Sequence, residues 1–201
     1  MRKVLPFVVC LAVLGAVPAQ ADPILFSAVL QGSNENPVNA SPGVGFALVG
    51  YDPIDHTLSV LAGFTGLLDG VTAAHIHCCV DPPANTGVAT EVPLFSGFPT
   101  GVTSGFYNMA FDLTQAASFN PAFVAANGGT PWGAEMALAA GLMSSRAYFN
   151  IHTSKFPGGE IRGSLRPVAA AVPEPTTMLL VGTGMGALVV ARRKKRLGRA
   201  A

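Results

Sequence analysis

Val44-Gly45-Phe46-Ala47-Leu48-Val49-Gly50-Tyr51, then Asp52-Pro53-Ile54-Asp55-His56, then Thr57-Leu58-Ser59-Val60-Leu61-Ala62-Gly63-Phe64: this stretch decides the fold class. In its second half Leu58, Val60, Ala62 and Phe64 recur at every other position, which puts them on one face of a strand. The first half is also strand-like, rich in apolar residues with no helical period. Between them Tyr51–His56 reads as a turn, because Pro53 presets its backbone angle and the aspartates hydrogen-bond locally. Strand, turn, strand is an antiparallel hairpin.

Outward from this hairpin, turn signals recur about every eight to twelve residues between Asp22 and Arg166, the spacing of a sandwich or barrel. Strands are expected near Leu25–Leu30, Val44–Tyr51, Thr57–Phe64, Ala73–Val80, Gly105–Leu113, Ala147–His152 and Glu160–Leu165. Two stretches depart from the pattern. Thr114 can cap a helical turn toward Phe119, with Pro121 as its stop. Gly133–Met143 is made of good helix formers apart from its glycines and predicts a short helix. The expected fold is therefore all-β: an antiparallel, Greek-key-like β-sandwich of seven or eight strands with one or two short helices.

The chain has 201 residues, of which 50% are hydrophobic and only 11% charged, against about 25% charged in typical soluble domains. Charge is segregated. Arg2 and Lys3 precede the first apolar run, and Arg192, Arg193, Lys194, Lys195, Arg196 and Arg199 follow the last. Between Asp22 and Val172 four basic residues face ten carboxylates, a net charge of 4 − 10 = −6. An acidic domain without a basic stripe speaks against nucleic-acid binding.

The two ends read as address labels. Residues 1–21 have a basic start, an apolar run and Ala19-Gln20-Ala21, whose small side chains suit signal peptidase, with cleavage before Asp22. At the other end Pro173-Glu174-Pro175 precedes an uncharged run, Thr176–Ala191, and then the basic cluster. Sixteen helical residues would span only ~24 Å, short of the ~30 Å hydrocarbon core. That makes a marginal transmembrane helix in the inner membrane with its basic end in the cytoplasm. The division is thus a signal peptide over 1–21, a domain over 22–170 and a tail over 171–201.

Candidate chemistry concentrates on three histidines. On the strand Ala73–Val80, alternation puts His75, His77 and Cys79 on one face and Ile76, Cys78 and Val80 on the other. On Ala147–His152, His152 lies opposite in face to Phe149 and Ile151. If the apolar sets face the core, the three histidines project from the outer side and converge should the strands be neighbours. His-x-His plus a third His suits Cu or Zn. The alternative is structural hydrogen bonding, to Glu160 or to loop carbonyls. Cys78 and Cys79 remain after loss of Cys10, and a vicinal disulfide, two free thiols, or Cys79 as a fourth ligand are all open. Glu160 and Arg162 share one strand face and are expected to hold the turn after Pro157-Gly158-Gly159. No catalytic residue is assigned: no nucleophile triad, phosphate loop or carboxylate pair stands out, so a non-enzymatic protein is the expectation.

Two families are resembled. Ala74-His75-Ile76-His77, Ala147-Tyr148-Phe149-Asn150-Ile151-His152-Thr153 and Pro157-Gly158-Gly159-Glu160-Ile161-Arg162-Gly163 together look like the CHRD domain, over about Phe26–Leu165. That domain is named after chordin and occurs in many exported bacterial proteins; the resemblance implies a fold more firmly than a function. The tail resembles the PEP-CTERM sorting signal of Gram-negative bacteria. It implies recognition of Pro173, Glu174 and Pro175 by an exosortase, and delivery to the cell surface or extracellular matrix. The resulting expectation is a surface or matrix protein. Its alternatives are a Cu- or Zn-binding or redox protein using His75, His77 and His152, and an exopolysaccharide-binding module.

Overall fold

A computed structural model describes residues 22–169. The expected signal-peptide and tail helices lie outside these residues. Among the described residues no helix is long and apolar enough to cross a membrane.

The first three strands form a meander. β1 (Ile24–Gln31) pairs along its whole length with β2 (Val44–Asp52), and β2 with β3 (Thr57–Thr65), both antiparallel. Asp52 holds the turn between β2 and β3 as the composition predicts: its Oδ1 accepts from the backbone N–H of Ile54 at 2.8 Å and of Asp55 at 3.0 Å. β4 (Val71–Cys78) then crosses to the far end of the sheet, and β5 (Gly105–Asp112) returns to pair with β3. After the helices α1 (Pro121–Ala126) and α2 (Pro131–Met143), β6 (Ala147–Thr153) pairs with β4. β7 (Ile161–Ser164) pairs with β6 and touches β1, and β8 (Arg166–Pro167) also pairs with β1. The order is β4-β6-β7-β1-β2-β3-β5, with β8 beside β1.

The all-β, antiparallel expectation holds, with eight strands. They are hydrogen-bonded into one sheet bent into half a barrel. Its concave side is the core, built from alternate residues: Phe26 and Leu30 of β1, Leu58, Val60 and Ala62 of β3, Ile76 of β4, and Phe149 and Ile151 of β6 are all buried. The long β4–β5 connection fills the remaining gap. Its Phe95 ring lies 5.1 Å from Phe111 of β5 and 5.9 Å from Phe149 of β6, bridging the two arms of the curve. Burial of each such ring contributes about 1.5–3 kcal/mol.

The helices differ from the sequence expectation in one instructive way. Pro121 does not stop a helix; it opens one. Proline lacks the N–H that a first helical turn cannot use, and Asn120 caps α1 by accepting from Ala122 N–H at 3.0 Å. The turn expected from Thr114 shrinks to a single 3-10 turn at Ala116–Ser118. α2 begins two residues earlier than the composition indicated, with Thr130 accepting from Gly133 N–H at 3.1 Å. It buries Leu138, Leu142 and, less expectedly, Glu135. That carboxylate accepts from Tyr51 Oη at 2.9 Å and His56 Nδ1 at 3.0 Å, so it ties α2 to the β2–β3 hairpin.

Candidate metal centre

β4 and β6 are neighbours, and their register decides what meets on the convex face. Ala73 pairs with His152, His75 with Asn150, and His77 with Tyr148. Because directly opposed side chains share a face, His75 and His77 from one strand and His152, Asn150 and Tyr148 from the other form one contiguous patch. Nitrogens of the three imidazoles all come within 4.8 Å of one another.

The histidines project from the outer side of the sheet, and that side is covered: His75 is 6%, His77 8% and His152 8% exposed. Two loops cover it. Residues 86–93 run alongside β4, with Ala89 and Thr90 N–H both directed at the Ile76 carbonyl. The β6–β7 turn folds over the other side. Each histidine is pinned by one backbone carbonyl of this cover: His75 Nε2 to Pro93 O at 3.0 Å, His77 Nδ1 to Thr86 O at 2.7 Å, and His152 Nδ1 to Pro157 O at 3.0 Å.

A carbonyl can only accept, so each pinned nitrogen carries the hydrogen and each neutral ring keeps a lone pair on its other nitrogen. Those other atoms are His75 Nδ1, His77 Nε2 and His152 Nε2, and all three are buried without a hydrogen-bond partner. Burial favours the neutral ring. It pushes the His75 pKa down to about 3, with His152 and His77 adding repulsion, and that of His77 down to about 4; His152 is also lowered by burial. Three neutral, oriented imidazoles with free lone pairs are what a borderline cation such as Zn or Cu requires. With metal–nitrogen bonds of ~2.0–2.1 Å, tetrahedral ligands sit ~3.3 Å apart, so closure needs shifts of only about an ångström.

The surroundings hold this arrangement in place. Glu160, fully buried, accepts from Thr153 Oγ1 at 2.6 Å, Ser41 Oγ at 2.6 Å and Leu68 N–H at 2.7 Å, clamping the β6–β7 turn to two other loops. It does not bond a histidine; the loop carbonyls do. Arg162 donates to Asn34 O, Asn85 Oδ1 and Pro83 O at 2.6–2.8 Å and lies 4.8 Å over the Tyr148 ring, which in turn stacks on His77 at 4.8 Å. Glu35 sits 3.7 Å from Arg162, yet burial outweighs that cation and raises its pKa to about 7.

Cys79 must be withdrawn as a ligand. It is joined to Cys78 by a disulfide, and its Sγ lies 3.4 Å from the Ala137 carbonyl of α2, on the helix side of β4. A disulfide sulfur has no thiolate to offer a metal. Tyr148 and Asn150 share the face of His152, as alternation along β6 places them; Glu35 is the polar residue of this region that sequence reasoning passed over.

The CHRD domain family model matches residues 26–165. The PEP-CTERM protein-sorting motif matches residues 171–196 and so includes Pro173, Glu174 and Pro175. No curated protein and no solved structure matches the chain. The CHRD match spans both histidine strands, the covering loops and the clamp at Glu160, and over two thirds of its length this chain belongs to the CHRD domain family.

Proposed function

We propose that the protein is a metal-binding protein of the bacterial cell surface or extracellular matrix, holding one Cu(II) or Zn(II) on His75, His77 and His152. The PEP-CTERM motif implies exosortase processing and export from a Gram-negative cell. On this reading signal peptidase removes residues 1–21, the tail lodges briefly in the inner membrane, and release follows recognition of Pro173-Glu174-Pro175.

One observation carries the metal assignment. Three imidazoles converge, each with one nitrogen fixed by a carbonyl and the other buried and unpartnered. Leaving a polar atom buried and unbonded costs about 1–3 kcal/mol, and a single cation held by the three rings would relieve all three atoms together. His75 would supply Nδ1, His77 and His152 Nε2. Three protein donors leave one coordination position open.

Equilibrium dialysis of the purified protein against Cu(II) and Zn(II) tests this. One equivalent bound by the wild type, and strong loss in each of His75→Ala, His77→Ala and His152→Ala, is the expected result. Unchanged binding in all three variants would leave the triad as a hydrogen-bonding device only.

A further inference from the structure

The sheet has two edges, and the chain treats them differently. At the β4 edge the β4–β5 connection caps the strand: Cys78 N–H reaches Gly87 O, Phe95 N–H reaches Ala74 O, and Val71 exchanges bonds with Gly101 and Val102. At the other edge β5 pairs with β3 only; its last residue, Asp112, has its carbonyl taken by Gln115 N–H and Ser118 Oγ, but from Gly105 to Phe111 no backbone group bonds outside that ladder among the described residues. In an antiparallel pair alternate residues turn their N–H and C=O groups away from the partner strand. β5 therefore presents a bare row of donors and acceptors.

The usual guards of an exposed edge are missing. Natural sheets protect edges with lysine, proline, an inward charge or a bulge. Gly105–Phe111 contains no charged residue and no proline, and its register against β3 runs unbroken from Gly105 to Asp112. The strand is also accessible. Phe106 is 63% exposed, and Met109, which shares the core-facing side with Val60, is still 40% exposed.

We infer that β5 is a homodimerisation edge: two copies of this chain pair β5 to β5, antiparallel about Met109, continuing the sheet across a twofold axis. Only another strand can satisfy a row of alternating donors and acceptors, and an uncharged strand meets its own copy without repulsion. In antiparallel pairing about Met109, Asp112, the one charge on the strand, falls opposite Phe106 rather than opposite its twin. Since the β4 edge is capped, each copy has one free edge, so pairing closes at two and does not propagate into a filament. An eight-residue edge is small beside the about 1,200–2,000 Å² of stable interfaces, so a weak, concentration-dependent association is expected, with a Kd on the order of micromolar or above.

Sedimentation velocity of the purified protein over roughly 1 μM to 1 mM reads this directly, alongside hydrogen exchange of residues 105–112. A monomer–dimer equilibrium is expected, with β5 amides better protected at high concentration. Met109→Lys, which sets two ammonium groups face to face, should weaken the dimer at least tenfold. Met109→Cys should form an interchain disulfide on oxidation, a readout independent of how well the lysine variant folds. Monomer throughout, a dimer indifferent to Met109→Lys, assembly beyond two, or β5 exchange that ignores concentration would each overturn the inference.

Discussion

Replacing His75 with Asn should change how the stability of the metal-free protein depends on pH, by an amount the structure supplies. The folded His75 has its pKa pushed from 6.5 to about 3 by burial and by the neighbouring His152 and His77. In the unfolded chain it regains a value near 6.5. A pKa depressed on folding contributes stability above the unfolded pKa, and this is lost progressively as pH falls from about 6.5 toward about 3. Between about pH 7.5 and 5.5 the unfolded imidazole goes from about one-tenth to nearly fully protonated while the folded one stays neutral. The wild type therefore loses about 1.4 kcal/mol from this residue, and His75→Asn loses none of it. Glu35, whose pKa is raised to about 7, titrates in the same window with the opposite sign; it is common to both proteins and cancels in their difference. Urea denaturation with chelator present, at the two pH values, measures that difference. A wild-type-minus-variant gap that shrinks by about 1–1.5 kcal/mol on acidification agrees with the argument. A gap that stays constant, or widens, would mean that His75 takes up its proton inside the fold and is not a buried neutral ligand.

Other perturbations follow from the same geometry. Glu160→Ala removes three hydrogen bonds from a fully buried carboxylate and strands the Leu68 N–H; a loss of about 3–5 kcal/mol is expected in chemical denaturation, together with weaker metal binding through His152. Gly141→Ala should be similarly severe, because a methyl there would strike the Sγ of Cys78 in the disulfide packed on α2; a melting temperature within a degree or two of the wild type would contradict that packing. Pro173, Glu174 and Pro175 changed together to alanine should leave the protein membrane-bound and unprocessed in its host, as fractionation and immunoblotting would show, whereas unaltered release would reduce the box to a linker.

Much of the sheet was legible because its signals are local. Turn spacing, with period-two alternation in β3, located β1 to β7 to within about two residues, and the two-residue β8 escaped, being too short for either signal. The histidine patch was half legible. Alternation put His75 and His77 on one face and His152 on the matching face of another strand, but adjacency of β4 and β6 could not be read. Those strands are separated by β5 and two helices, and their pairing is a tertiary outcome. Burial of the patch could not be read for a similar reason. Its cover is residues 86–93 and the turn around Pro157, irregular backbone whose placement rests on individual hydrogen bonds such as Thr86 O to His77. Glu35 and Arg162 lie far apart in sequence, and nothing in either neighbourhood announces the contact. Pro121 misled because proline both ends and begins helices, and the Asn120 cap before it was the feature that discriminated.

X-ray absorption at the zinc edge of the loaded protein tests the central assignment most directly. His75, His77 and His152 acting together predict one zinc per chain with about three imidazole nitrogens at ~2.0–2.1 Å and no sulfur scatterer at ~2.3 Å. A sulfur shell, fewer than two imidazoles, or a spectrum unchanged by His152→Ala would contradict it.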